Sequence, residues 1–164
     1  MKLMKQIKLL MIDNDEDWLN GVATCLGKQS VLVEKVIVSN YPSVLALRAF
    51  VKAKVIAWQP DAIAMDLRLD SENAVDDERG VALFGDLGNC YKFWLTNSEG
   101  PSIGLQNVVP IKAEVDVVRK VVSATTVLDT ANAVIKQLKL VGMATVVNGA
   151  IVRDKAFPDV YSRD

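Results

Sequence analysis

Residues Ile7–Ile12 read IKLLMI, a nearly unbroken apolar run, short for a helix and too apolar for a half-exposed strand. A strand with one wet face alternates apolar and polar residues, whereas one without alternation needs cover on both sides. That demand leaves few architectures, chiefly a parallel sheet held between layers of helices. Similar β-rich runs recur as VLVEKVIV (Val31–Val38), PDAIAMD (Pro60–Asp66), YKFWLT (Tyr91–Thr96) and NVVPIK (Asn107–Lys112). Pro110 suits the last of these to a sheet edge or a strand end.

Helical periods fill the spaces between these runs. Trp18, Leu19, Val22, Ala23 and Leu26 recur at helical spacing and stop near Gly27. SNYPSVLALRAFVKAKVIAW predicts a second helix, with Ser39 or Asn40 as cap and Pro42 in its first turn. GVALFGDLG (Gly80–Gly88) predicts a short one. After Lys112, a stripe of Val115, Val118, Val122, Thr125, Leu128, Ile135 and Leu138 predicts a long helix, which the β-branched cluster at Ser123–Val127 can kink or interrupt. Strands alternating with helices predict an α/β protein with a doubly wound, five-stranded parallel sheet. Beyond the last helix, ATVVNGAIV (Ala144–Val152) places β-rich arms around Asn148-Gly149, a strong hairpin signature. The expected organisation is a domain over residues 1–140 and a hairpin appendage over 141–164. An isolated hairpin is marginal in water, so it must pack on the domain, extend the sheet or pair with another chain. The C-terminal helix and hairpin are therefore also a candidate homodimer seam.

Composition narrows the function classes. The chain has 164 residues, 51% of them hydrophobic and 24% charged, which suits one domain with a buried core. A formal net charge of −1 gives no footprint for nucleic acid. No apolar run is long enough to cross a bilayer, and the amino terminus reads as a first strand rather than a signal peptide. Cys25 and Cys90 stand apart without motif spacing, as in a reduced, cytoplasmic setting. The chain has no histidine, which excludes histidine triads, histidine-ligated zinc and a histidine phosphoacceptor.

In doubly wound sheets, sites form outside the carboxyl ends of the strands. There the first run ends in Asp13-Asn14-Asp15 and continues into Glu16 and Asp17, four acids in five positions. The third run ends in Asp66, the fourth in Thr96 and the fifth in Lys112. Carboxylates, a hydroxyl and an amine on one rim suit reversible phosphorylation of a carboxylate. Mg²⁺ takes oxygen ligands, usually one or two carboxylates with water and phosphate. Asp66 is the candidate nucleophile, Lys112 a neutralising cation and Thr96 a hydrogen-bonding partner of the phosphoryl group.

With these residues in view, LLMIDNDEDWLNGV, PDAIAMDLRL, FWLTN and VVPIKAEVD resemble the marker segments of receiver domains from two-component response regulators. The resemblance runs from about Ile7 to Leu138 and implies a flavodoxin-like receiver fold. It also implies that Asp13 and Asn14 match the acidic pair, Asp66 the phosphoacceptor and Arg68 the residue whose backbone carbonyl ligates the metal. Thr96 matches the switch hydroxyl and Lys112 the lysine. The implied cofactor is Mg²⁺. The implied partner is a histidine kinase or phosphotransfer protein in a phosphorelay, with no nucleic acid or membrane involved. The sequence departs from the pattern at Asn14, which replaces an acid, and at Ala113, which replaces a proline. The stretch after Asp66 is longer than in the family, and that between Thr96 and Lys112 is shorter.

Simpler readings compete. The acids at 13–17 could serve only as a helix start, and the seven acids between Asp61 and Glu78 could be solvated surface. Trp58, Trp94 and Phe50 are expected in the core. The alternative function is a phosphorylation-independent receiver-like interaction or dimerisation module. A hydrolase using the same carboxylate would need a dedicated acid or base and a substrate cap, and the sequence has no clear candidate for either.

Overall fold

The computed structural model describes residues 5–41, 43–65, 90–96, 117–119 and 126–161, with positions 44, 96, 117–119 and 126 described by their backbone alone. Five parallel strands form one sheet in the order β2-β1-β3-β4-β5. They are β1 (Lys8–Asp13), β2 (Leu32–Ile37), β3 (Ala62–Met65), β4 (Tyr91–Thr96) and β5 (Val117–Arg119). Among the described residues the α-helices are α1 (Glu16–Lys28), α2 (Val44–Trp58) and α3 (Thr126–Leu140). A separate antiparallel hairpin joins β6 (Ala144–Val147) to β7 (Ala150–Arg153).

The unbroken apolar run of β1 is explained by two cores, one on each face of the sheet. Successive strand residues point to opposite sides, so Leu9 and Met11 enter one core and Leu10 and Ile12 the other. The first core gathers Phe93 and Leu95 of β4, Leu19, Val22 and Leu26 of α1, and Val134 and Leu138 of α3. The second gathers Ile63, Met65 and Trp94 under Leu47 and Val51 of α2. Gly21 lets α1 and α3 approach closely, since an added Cβ would lie 3.1 Å from both γ-carbons of Val127.

Several expectations are corrected. α2 starts at Val44 rather than after Ser39 or Asn40, because Val38–Asn40 forms a 3-10 turn and the Ser43 side chain accepts from Ala46 N at 3.1 Å. The long helical stripe after Lys112 is broken. Val118 belongs to β5, paired with Leu95, and the helix begins only at Thr126. A β-branched pair at Val117-Val118 fits a pleated sheet better than a helix, and tertiary pairing with β4 overrides the coincidental period. Phe50, expected in the core, is 41% exposed. Trp94 is fully buried, and Trp58 packs at the margin of the second core. The short helix expected at Gly80–Gly88 and the run Asn107–Lys112 lie outside the described residues.

The hairpin packs on its own chain. Met143, Ala144 and Ile151 join the first core. Asn148 and Gly149 have φ of 52° and 80°, the pair of positive values that a type I′ turn requires. Past β7 the chain runs across the amino ends of the strands. Arg153 Nε donates to Asp61 Oδ1 at 2.8 Å, and the guanidinium also donates to the carbonyls of Asp154, Phe157 and Pro158. Asp61 Oδ2 accepts from Lys8 N at 2.9 Å, and the Tyr161 hydroxyl donates to Pro60 O at 2.7 Å. No helix of the described residues is long and apolar enough to cross a membrane.

Candidate functional site

The sheet order reverses direction beside β1, with β2 on one side and β3 on the other. Helices leaving adjacent strands toward opposite faces open a crevice there, at the carboxyl ends. Asp13 closes β1 at this point and is only 2% exposed. A carboxylate so buried needs hydrogen bonds in place of water. Its Oδ1 accepts from Asn14 N at 2.7 Å and from Asp15 N at 3.0 Å, which fixes the side chain against the turn into α1. Asn14 follows, half-buried.

The remaining acids of the opening cluster serve the helix. Asp15 is the N-cap of α1, its Oδ1 accepting from Trp18 N at 3.1 Å. Glu16 and Asp17 occupy the first turn, where free N–H groups and the helix dipole favour negative charge. The simple helix-start reading thus accounts for Asp15 to Asp17 and leaves Asp13 unexplained by it.

β3 runs beside β1 with Ile12 opposite Met65. Met65 is the last described residue before Asp66, so Asp66 and Arg68 lie outside the described residues. β4 ends at Thr96, two positions past Trp94, which pairs with Met65. The strand next to β4 is not the expected Asn107–Lys112 but Val117–Arg119, with Arg119 opposite Thr96. Lys112 lies outside the described residues, so the cation that ends β5 is Arg119. Sequence reasoning missed it although the signal was present: Val117-Val118 followed by Arg119-Lys120 is a β-branched pair before two cations, without a proline such as Pro110.

The backbone therefore brings together the ends of β1, β3, β4 and β5, carrying Asp13, Met65, Thr96 and Arg119. Among the described residues, no three acidic or thiol side chains gather as a metal cluster. The donors at the β1 end, the Asp13 carboxylate and the Asn14 amide, are oxygen groups of the kind that a hard divalent cation takes.

This sheet order, with its crevice at β1 and β3, is that of a flavodoxin-like α/β fold, the arrangement that receivers share. Solved structures agree. The chain is similar to the Mn²⁺-bound form of response regulator Rcp1, with a TM-score of 0.55 and 15% identity over 86% of this chain and 99% of that one. A yeast Spc42 trimeric coiled-coil segment fused to another structure gives a TM-score of 0.56 and 20% identity, over 85% of this chain and 82% of that one. The anti-anti-sigma factor PhyR from Bartonella quintana gives 0.52 and 11% identity, with 82% of this chain matching 48% of that one. At these identities the likeness is one of fold. No family model and no curated protein matches the sequence.

Proposed function

We propose that the chain is a phosphoacceptor receiver domain that takes a phosphoryl group onto Asp66 and signals through contacts with a partner. The observation that carries this reading is the buried Asp13 carboxylate at the crevice, on a strand whose neighbour β3 ends one residue before Asp66. A buried carboxylate ending a strand at the switch point is costly to maintain for stability alone.

In the proposed reaction the Asp66 carboxylate attacks phosphorus in line. A P–O bond forms as the P–N bond of a donor phosphohistidine breaks, and the imidazole departs. Asp13 and Asn14, with Asp66 and the Arg68 backbone carbonyl, would hold Mg²⁺, which when bound neutralises charge on the phosphoryl oxygens. The Thr96 hydroxyl would accept or donate a hydrogen bond to the bound group. Lys112 supplies the second positive charge by resemblance, while Arg119 has the strand-end backbone position for it. The donor is a histidine kinase or phosphotransfer protein.

Incubation with a small phosphodonor and Mg²⁺, read by intact mass, tests the proposal. One phosphoryl per chain is expected, absent in Asp66→Ala and without Mg²⁺. A gain that survives Asp66→Ala, or no gain in the wild-type chain, overturns it. The second outcome would favour the phosphorylation-independent interaction module, to which the neutral Asn14 and the commitment of Asp15 to helix capping also lend support.

A further inference from the structure

α2 is apolar on more than the side that meets the sheet. Leu47 and Val51 are buried beneath it, while Leu45 and Ile56 are each 76% exposed and Phe50 41%. Ala49, Ala53 and Ala57 are exposed as well. At about 100° per residue, these six exposed residues fall within one arc of about 140°, turned away from Leu47 and Val51. Charge lies only outside that arc, with Lys52 beside Leu45 and Lys54 beyond Phe50. The helix holds Arg48, Lys52 and Lys54 and not a single acid. A surface helix normally gives its outer arc to polar residues, and a contiguous apolar strip bordered by charge marks an interaction surface.

We propose that this face of α2 docks an amphipathic helix of a partner protein whose apolar stripe is bordered by carboxylates. The side-chain sizes fit a helix. Leu45 and Ile56 stand near the two ends of the strip, with Ala49 and Ala53 between them and Phe50 on its far border. Small residues let two helix axes approach to the near end of the usual 8–10 Å range. They also add little to insertion into lipid, which depends on large apolar side chains. Charge sets the partner's borders and disfavours a second copy of this chain. Paired helices bring their flanking positions together, and α2 against α2, parallel or antiparallel, contributes cations and no acid from either helix, the Lys54 flank already being met by Glu34 of its own chain. Glu34 shows the complementary contact, with its carboxylate 3.4 Å from Lys54 Nζ. This surface lies on the outer side of α2 and does not depend on phosphoryl chemistry at the strand ends.

The test uses the full chain and two dye-labelled synthetic amphipathic helices that share one leucine stripe, bordered by glutamates in one and lysines in the other. By fluorescence anisotropy the glutamate-bordered helix is expected to bind saturably and at least about tenfold more tightly, a difference of about 1.4 kcal/mol. Leu45→Glu with Ile56→Glu is expected to abolish binding at an unchanged thermal melt, and Lys52→Glu to narrow or invert the preference. Failure of the glutamate-bordered helix to bind, equal binding of both helices, or binding untouched by these variants overturns the proposal. So does sedimentation showing self-association that the double variant abolishes, which makes a second copy the occupant. Co-sedimentation with phosphatidylglycerol vesicles that the double variant abolishes would likewise overturn it, in favour of a membrane surface.

Discussion

Asp13 and Asp15 stand two positions apart and serve different ends. Asp15 caps α1 from an exposed position, whereas Asp13 is buried with one oxygen bonded to two backbone amides. The dense acidic run marked this place in the sequence, but its division of labour depends on backbone direction after the strand, which composition does not encode. Asn14 lies between them and brings an oxygen without a charge. If these residues hold Mg²⁺, Asn14→Asp adds a full charge within a few ångströms of the ion and should tighten binding by about tenfold or more, measured by Mg²⁺ titration of Trp18 fluorescence. An unchanged affinity would remove position 14 from the metal site. At the opposite end of the sheet, Arg153 and Asp61 form a buried pair, with side chains 9% and 10% exposed. Removing one member strands the other, so Arg153→Met should cost about 3–5 kcal/mol in urea unfolding. Asp61 stood out in the sequence only as one of a run of acids, and its pairing with Arg153 was hidden because 92 positions separate them.

Among the elements, β4 runs over Tyr91–Thr96 as its pattern predicted, and β1 and β3 depart from expectation by a residue or two at their ends. These strands are short apolar runs bounded by breakers, the case in which local pattern and burial agree. α2 is the counterexample. Its start was misplaced because Ser39, Asn40 and Ser43 are all plausible caps, and only the 3-10 turn at Val38–Asn40 selects Ser43. Ser43→Ala should therefore lower stability by about 1 kcal/mol, seen as a reduced urea midpoint, while Asn40→Ala should leave it near wild type. β5 was misplaced for another reason. A three-residue strand carries too little pattern to outweigh a helical period running through it, and its identity rests on pairing with Trp94, Leu95 and Thr96.

In the molecule as a whole, the hairpin and the segment after it close the amino ends of the strands, opposite the candidate rim. Tyr161 is part of this closure, and burial, with the nearby Cys90, Asp61 and Asp159, raises its phenol far above the usual tyrosine range. The folded chain then keeps the phenol protonated at pH values where the unfolded chain ionises it. Its contribution is fully present below the ordinary tyrosine pKa of about 10 and is lost as pH rises above it. Tyr161→Phe should be less stable at neutral pH by about 1 kcal/mol, through loss of the bond to Pro60 O, yet should lose less stability between pH 9 and 11, as followed by thermal melts. An equal alkaline decline in both chains would show that this phenol stays exposed. The amino-acid sequence by itself determined the class of fold, because an apolar run without alternation has to be covered twice and the breakers between runs set the order of strands and helices. It also determined the acidic strand end, since charge density is a local property of the chain. Only the tertiary structure decided that Asp13 rather than its neighbours is the buried acid, that β5 follows Lys112 instead of ending there, and that the hairpin folds back onto its own chain. Each of these is fixed by partners far along the chain, through pairing and burial energies that no local window contains.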